Sequence, residues 1–100
     1  MKLREVRSKF YLYPCVPNPF NPKTLISYDL PITSQAYVSI YDVFGRLVRT
    51  LKQGVYETPG YKSMEWDGLD NSNTPAAAGV YLVCLKTEHF KSTVRVMLIK

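Results

Sequence analysis

The chain has 100 residues and contains two cysteines, one histidine and one tryptophan. Cys15 and Cys84 allow one disulfide at most, and whether their sulfurs meet is a matter of folded geometry. Neither belongs to a CxxC pair, and His89 adds no ligand at a metal-binding spacing, so zinc and thioredoxin-type chemistry lack a residue set. No GxSxG or HExxH string occurs, and a single histidine forms no recognisable nucleophile–base order with Cys84, so neither an enzyme nor a cofactor is expected. No apolar run approaches the roughly 20 residues of a membrane-spanning helix, which argues against membrane insertion. The first ten residues, MKLREVRSKF, are basic but lack the apolar stretch of a signal peptide, so no export signal is expected in the chain as written.

Acidic residues are also scarce, 8 Asp plus Glu against 13 Lys plus Arg, for a net charge of +5. This balance is compatible with nucleic acid or with an anionic envelope surface as partner. The basic residues are scattered, however: Lys2, Arg4, Arg7 and Lys9, then Arg46, Arg49 and Lys52, then Lys86, Lys91, Arg95 and Lys100. No nucleic-acid recognition string accompanies them, and Tyr28, Tyr41 and Tyr81 sit in strand patterns where tyrosine normally packs. Nucleic acid is not expected as a partner.

What the chain does have is a β pattern throughout. An apolar content of 46% with 13% aromatics exceeds a disordered composition and fits one domain with one core. Period-two alternation and β-branched or aromatic enrichment predict strands over 24–30, 36–42, 62–67, 80–87 and 90–99. Residues 46–53 (RLVRTLKQ) place Leu47, Val48 and Leu51 at a spacing that would also suit a short helix. Their short length and position after the Phe44-Gly45 turn favour a strand with a bulge. An edge segment near 10–13 makes seven strands. The segment PNPFNP cannot lie in a central strand, because proline donates no ladder bond. Pro31, Gly45, Gly54, Pro59-Gly60 and Gly68 mark turns at regular intervals. Short strands with regular turns predict an all-β, immunoglobulin-like antiparallel sandwich over 10–100, preceded by a flanking segment 1–9.

The stretch WDGLDNSNTPAAAG is rich in hard oxygen donors, but it lacks calcium-loop spacing and its closing Glu. Asp67 and Asp70 are expected to act there as turn formers that accept backbone N–H groups, rather than as ligands or an acid–base pair. Trp66, in phase with Met64, is expected as a core anchor.

Several ordered strings resemble one family: PNPFNP (Asn18, Pro19, Phe20, Asn21 and Pro22 within it), ISYDLP, YDVFGR with Asp42, Gly45 and Arg46, WDGLD with Trp66, Asp67, Gly68 and Asp70, GVY with Gly79 and Tyr81, and the terminal VMLIK. Together they resemble the C-terminal sorting domain of the type IX (Por) secretion system and, in their middle portion, the immunoglobulin-like domain of the flagellar hook-capping protein FlgD. PNPFNP is expected to lay Phe20 against the sheet, Asp42 to cap the turn that Gly45 permits, and Tyr81, Val83 and Leu85 to face the core.

The resemblance implies a non-catalytic module fused after a secreted effector, and hence an excised domain or fragment. Such a module is read by the outer-membrane export machinery and delivered through the periplasm to the cell surface or medium. It further implies that Val94, Val96, Met97, Leu98, Ile99 and Lys100 form the recognised segment; on physical grounds an unpaired edge strand would offer its backbone groups to such a partner. Other expectations from the same residues are a structural module of a cell-surface or hook-type assembly, and a carbohydrate-binding sandwich with Tyr and Trp on an exposed face.

Overall fold

A computed structural model of the chain describes residues 8–100. Lys2, Arg4, Arg7 and most of the expected flanking segment lie outside the described residues. Seven strands follow in order: β1 (Tyr11–Leu12), β2 (Thr24–Leu30), β3 (Ser34–Asp42), β4 (Leu47–Glu57), β5 (Gly60–Trp66), β6 (Gly79–Lys86) and β7 (Lys91–Leu98). They form two antiparallel sheets, β1-β2-β5 and β4-β3-β6-β7, that pack as an immunoglobulin-like sandwich.

Alternation builds the core. Ile26, Tyr28 and Leu30 of β2 face Val38 and Ile40 of β3, and Val83 and Leu85 of β6, all with no exposed surface. On β7 the same alternation turns Val96 and Leu98 inward and Met97 outward. β6 lies between β3 and β7, so its run VYLVCL alternates half-buried with buried positions, and only Lys86 at its end is exposed.

β4 breaks the alternation for a visible reason. Its pairing with β3 slips three times, leaving Val48, Leu51 and Gly54 without a Cα partner. One extra residue at each bulge resets the side-chain phase every third position. Val48 and Leu51 therefore both lean on the core, and an apolar spacing of three in a strand imitates a helix. Gly54 is not a turn, as its place in the punctuation predicted, but the last of these bulges. Its φ is +69°, and a Cβ there would sit 3.1 Å from both the Tyr37 hydroxyl and the Gln35 amide.

The register also fixes the two ends of the sandwich. Leu30 lies opposite Gly60, Ser34 opposite Glu57, and Phe10 stacks on Phe90 at 5.1 Å, so the chain enters at this proximal end. Thr24 lies opposite Trp66, Asp42 opposite Tyr81 and Gly79 opposite Leu98 at the distal end. The proximal end holds a buried knot. The Tyr28 hydroxyl donates to Glu57 Oε1 (2.6 Å), Lys52 Nζ donates to that hydroxyl (3.0 Å), and Lys52 and Glu57 form an ion pair. Burial, with the adjacent Glu57 carboxylate, pushes the Tyr28 phenol well above its ordinary range.

Candidate functional site

Residues 17–23, 43–46, 67–78 and 99–100 lie together at the distal end, so the strings PNPFNP, YDVFGR, WDGLD, GVY and VMLIK meet there. Trp66 is their centre. Fully buried, it lies 5.3 Å from the rings of both Phe20 and Tyr81, and its Nε1 donates to the Leu69 carbonyl at 3.0 Å. Such a position is a core anchor and leaves no tryptophan for an exposed sugar platform.

The first loop, Pro17 to Pro22, is cis at Pro17, Pro19 and Pro22. It runs along the outer edge of β7. Asn18 uses its side-chain amide as a strand would use its backbone: Oδ1 accepts from Met97 N–H at 2.9 Å, and Nδ2 donates to the Arg95 carbonyl at 3.3 Å. Phe20 N–H donates to the Met97 carbonyl at 2.9 Å, and Ile99 N–H donates to the Phe20 carbonyl at 3.0 Å. The distal half of β7 is therefore not the unpaired edge expected of a terminal strand. A proline-rich segment cannot supply a full ladder, so an asparagine side chain completes it. The proximal half of the strand, at Thr93, makes no comparable edge bond among the described residues.

The second loop is the β3–β4 turn. Asp42 Oδ1 accepts from the N–H groups of Phe44 (2.9 Å) and Arg46 (3.0 Å), while Oδ2 accepts from Arg46 Nε at 2.8 Å. The Arg46 N–H, with its guanidinium and the Phe44 N–H, holds the Asp42 carboxyl below the usual carboxylate range. Gly45 donates to the Asp42 carbonyl and takes φ +82°. The turn leaves Phe44 79% exposed, with the Arg46 guanidinium 5.3 Å from its ring centre.

The third loop, Asp67 to Ala78, is organised by its own carboxylates. Asp67 Oδ1 accepts from Leu69 N–H (3.1 Å), and Asp70 Oδ1 accepts from Ser72 and Thr74 N–H (2.8 and 3.0 Å). Asn71 then ties the loop to β4: its N–H donates to the Val48 carbonyl and its Oδ1 accepts from Thr50 N–H. Arg49 reaches across to the Asp70 carbonyl at 3.1 Å. The Asn71 ties use backbone groups on the open edge of β4 and the Arg49 tie uses its side chain, and nothing in the strand pattern marks either. Gly68 closes the arrangement. At φ +77° it approaches the Pro22 carbonyl so closely that a Cβ would lie 3.2 Å from that oxygen, with Leu98 behind it at 3.8 Å. One glycine thus joins three strings. Gly79 leads into β6, where the Tyr81 hydroxyl donates to the Ala77 carbonyl at 2.5 Å; burial, then the Asp42 charge, raises that phenol.

The six residues of the expected recognition segment divide between two faces. Val96 and Leu98 are buried and Val94 is half-buried, whereas Met97, Ile99 and Lys100 are exposed. A shallow groove beside the β3–β4 turn is lined by Asp42, Arg46, Asp70, Asn71, Ser72 and Tyr81, and both of its carboxylates are engaged by loop N–H groups. Among the described residues no three His, Cys, Asp or Glu side chains gather to hold a metal. Both cysteines are free. Cys15 is buried, which pushes its thiol up to about 11, and Cys84 is half-buried on β6. No helix among the described residues is long and apolar enough to cross a membrane.

Comparison with known proteins places this geometry. Among curated proteins none matches the chain. Solved structures similar to it include the study of PorZ, a surface component of the type IX secretion system of Porphyromonas gingivalis, with a TM-score of 0.62 and 21% identity over 89% of this chain and 11% of that one. Dimeric latent PorU of the same organism is similar with a TM-score of 0.69 and 18% identity, over 90% of this chain and 9% of that one. FlgD of P. aeruginosa is similar with a TM-score of 0.59 and 28% identity, over 75% of this chain and 58% of that one. The chain therefore spans about a tenth of PorZ and PorU and under two thirds of that FlgD chain. Residues 21–89 match the family model of the FlgD Ig-like domain, and with that match over more than half its length the chain belongs to the FlgD Ig-like domain family.

Proposed function

We propose that the chain is a non-catalytic C-terminal sorting and attachment module, which directs a fused secreted protein through the outer-membrane type IX export machinery to the cell surface. One observation carries this reading: five of the six strings of the sorting-domain pattern, with the end of the final strand, gather at the end of the sandwich opposite Phe10, while ISYDLP runs along β2 to the proximal end. An upstream effector would then leave the distal end clear for a partner. The likeness to domains within PorZ and PorU supports the same reading. The recognised surface is a folded one, in which Met97, Ile99 and Lys100 are presented by inward-packed Val96 and Leu98. Export machinery and the fused effector are its partners, and its location is extracytoplasmic. Residues 10–100 fused behind an exported reporter in a type IX-competent bacterium should bring the reporter to the surface or medium. Retention in the periplasm would overturn the reading.

The family match also favours a second reading, a structural module of a hook-type or surface assembly. Removal of residues 96–100 separates the two: a sorting module loses export, whereas an assembly module is exported and fails to assemble.

A further inference from the structure

The outer face of the four-stranded sheet is graded along its length. Near the distal end Val80 and Met97 stand directly opposite one another, and with Arg95 they line one shallow depression. Towards the proximal end Tyr37, Tyr41, Leu82, Cys84, Lys86 and Lys91 line a second, together with the hydroxyls of Ser39 and Thr93. Lys86 and Lys91 are direct cross-strand partners. Like charges in that relation repel and destabilise a sheet, and neither lysine has an ion pair among the described residues. Lys23, Arg46 and Lys52 pair with carboxylates, whereas Lys86 and Lys91, like Arg95 beside them, have none among the described residues and also face each other across the ladder. No Asp or Glu occurs at the outward positions of β3, β6 or β7. Glu88, in the adjoining turn, accepts the Gln35 N–H at 2.9 Å.

We propose that this face is a protein-docking surface for a partner segment that is apolar at one end and acidic at the other. Aliphatic side chains of the partner would lie on Val80, Leu82 and Met97, and its carboxylates would meet Lys86 and Lys91, with Arg95 taking a further one beside the aliphatic patch. Charge complementarity commits the occupant to an acidic one: three cations on one face, two facing each other, gain from a carboxylate placed between them. The aliphatic patch of Val80, Leu82 and Met97 commits it to protein, because a polypeptide supplies aliphatic side chains and carboxylates on one segment. The inference rests on the proposed function, since Met97 belongs both to this face and to the recognised strand, which makes the export machinery the partner.

The test uses the domain fused to an exported reporter in a type IX-competent bacterium. Lys86→Glu converts the facing like charges into an opposite pair, so the isolated domain should melt at or above the parent temperature. Lys86→Glu with Arg95→Glu should lower surface delivery about 10-fold or more, because like charges across an interface cost several kcal/mol. Lys86→Arg with Lys91→Arg should deliver like the parent. Parent-level delivery of the charge-reversed variant, when removal of residues 96–100 stops delivery, would overturn this inference and leave the proposed function standing. Equal losses in the reversed and arginine variants would overturn it too, by showing that charge is not read. If the parent domain is a dimer on size-exclusion chromatography and the reversed variant a monomer, the occupant is a second copy and the machinery assignment falls. If delivery survives even the removal of residues 96–100, the proposed function itself fails, and this inference with it.

Discussion

The two ends of the sandwich are held by different chemistry. At the proximal end contacts between side chains lead, Phe10 on Phe90 and the Tyr28–Glu57–Lys52 knot, beside a few bonds from Ser34, Thr87 and Glu88 to backbone. At the distal end, side chains hold backbone: Asp42, Asp67 and Asp70 accept main-chain N–H groups, Asn18 stands in for a strand, and Trp66 reaches the Leu69 carbonyl. The first kind of contact tolerates many residue pairs of similar size or opposite charge. The second needs a particular residue type at a particular offset, because loop backbone must be satisfied where no ladder can do it. The distal end is thus the one built mainly from residue-specific loops.

Substitutions at the two ends should separate accordingly. Trp66→Ala removes a fully buried ring that touches Phe20 and Tyr81 and should cost about 3–5 kcal/mol in denaturant unfolding, the largest loss of any single change. Gly68→Ala forces a side chain into positive φ against the Pro22 carbonyl, and a loss of about 1–3 kcal/mol is expected. Retention of parent stability would show that Pro22 yields easily and that the three strings are not rigidly joined. Tyr28→Phe at the proximal end removes one hydroxyl from the knot while leaving Lys52 and Glu57 to pair. It should cost about 1 kcal/mol.

Alkali should probe the buried side of both ends. The Cys15 thiol rises in the folded state from 9.0 to about 11, and the Tyr28 phenol rises above 10.0. A raised folded value means that the stabilising contribution is complete below the unfolded value and is lost as pH climbs through the folded one. Stability should therefore hold up to about pH 9 and fall above it, with Cys15→Ala blunting the fall between pH 9 and 11. A flat profile over that range would place the thiol in contact with water.

This division also explains what was legible in the sequence. Thr24–Leu30 could be read to the residue, because one of its faces is buried along its whole length. The distal strings were legible because Asp, Asn, Gly and Pro declare the turns they serve. Gly54 misled, since its positive φ serves a bulge within β4 and looks the same in sequence as one serving a turn. The Lys52–Glu57 pair was hidden by the same bulges, which change the phase between the two residues. Asn18 reaching across to β7 was equally invisible: it links positions 79 residues apart, and only the fold brings them together.

The measurement that tests the account most directly compares delivery with stability at the two ends. Reporter fusions carrying Tyr28→Phe, or lacking Ile99 and Lys100, should be assayed for surface delivery beside the melting temperature of each isolated domain. Loss of the last two residues removes one backbone bond to Phe20, so its stability cost should be close to that of Tyr28→Phe, about 1 kcal/mol. The account predicts parent-level delivery for the proximal variant and a loss of about 10-fold or more for the distal one, equivalent to at least about 1.4 kcal/mol of lost recognition. Delivery that follows melting temperature alone, whichever end is altered, would contradict it.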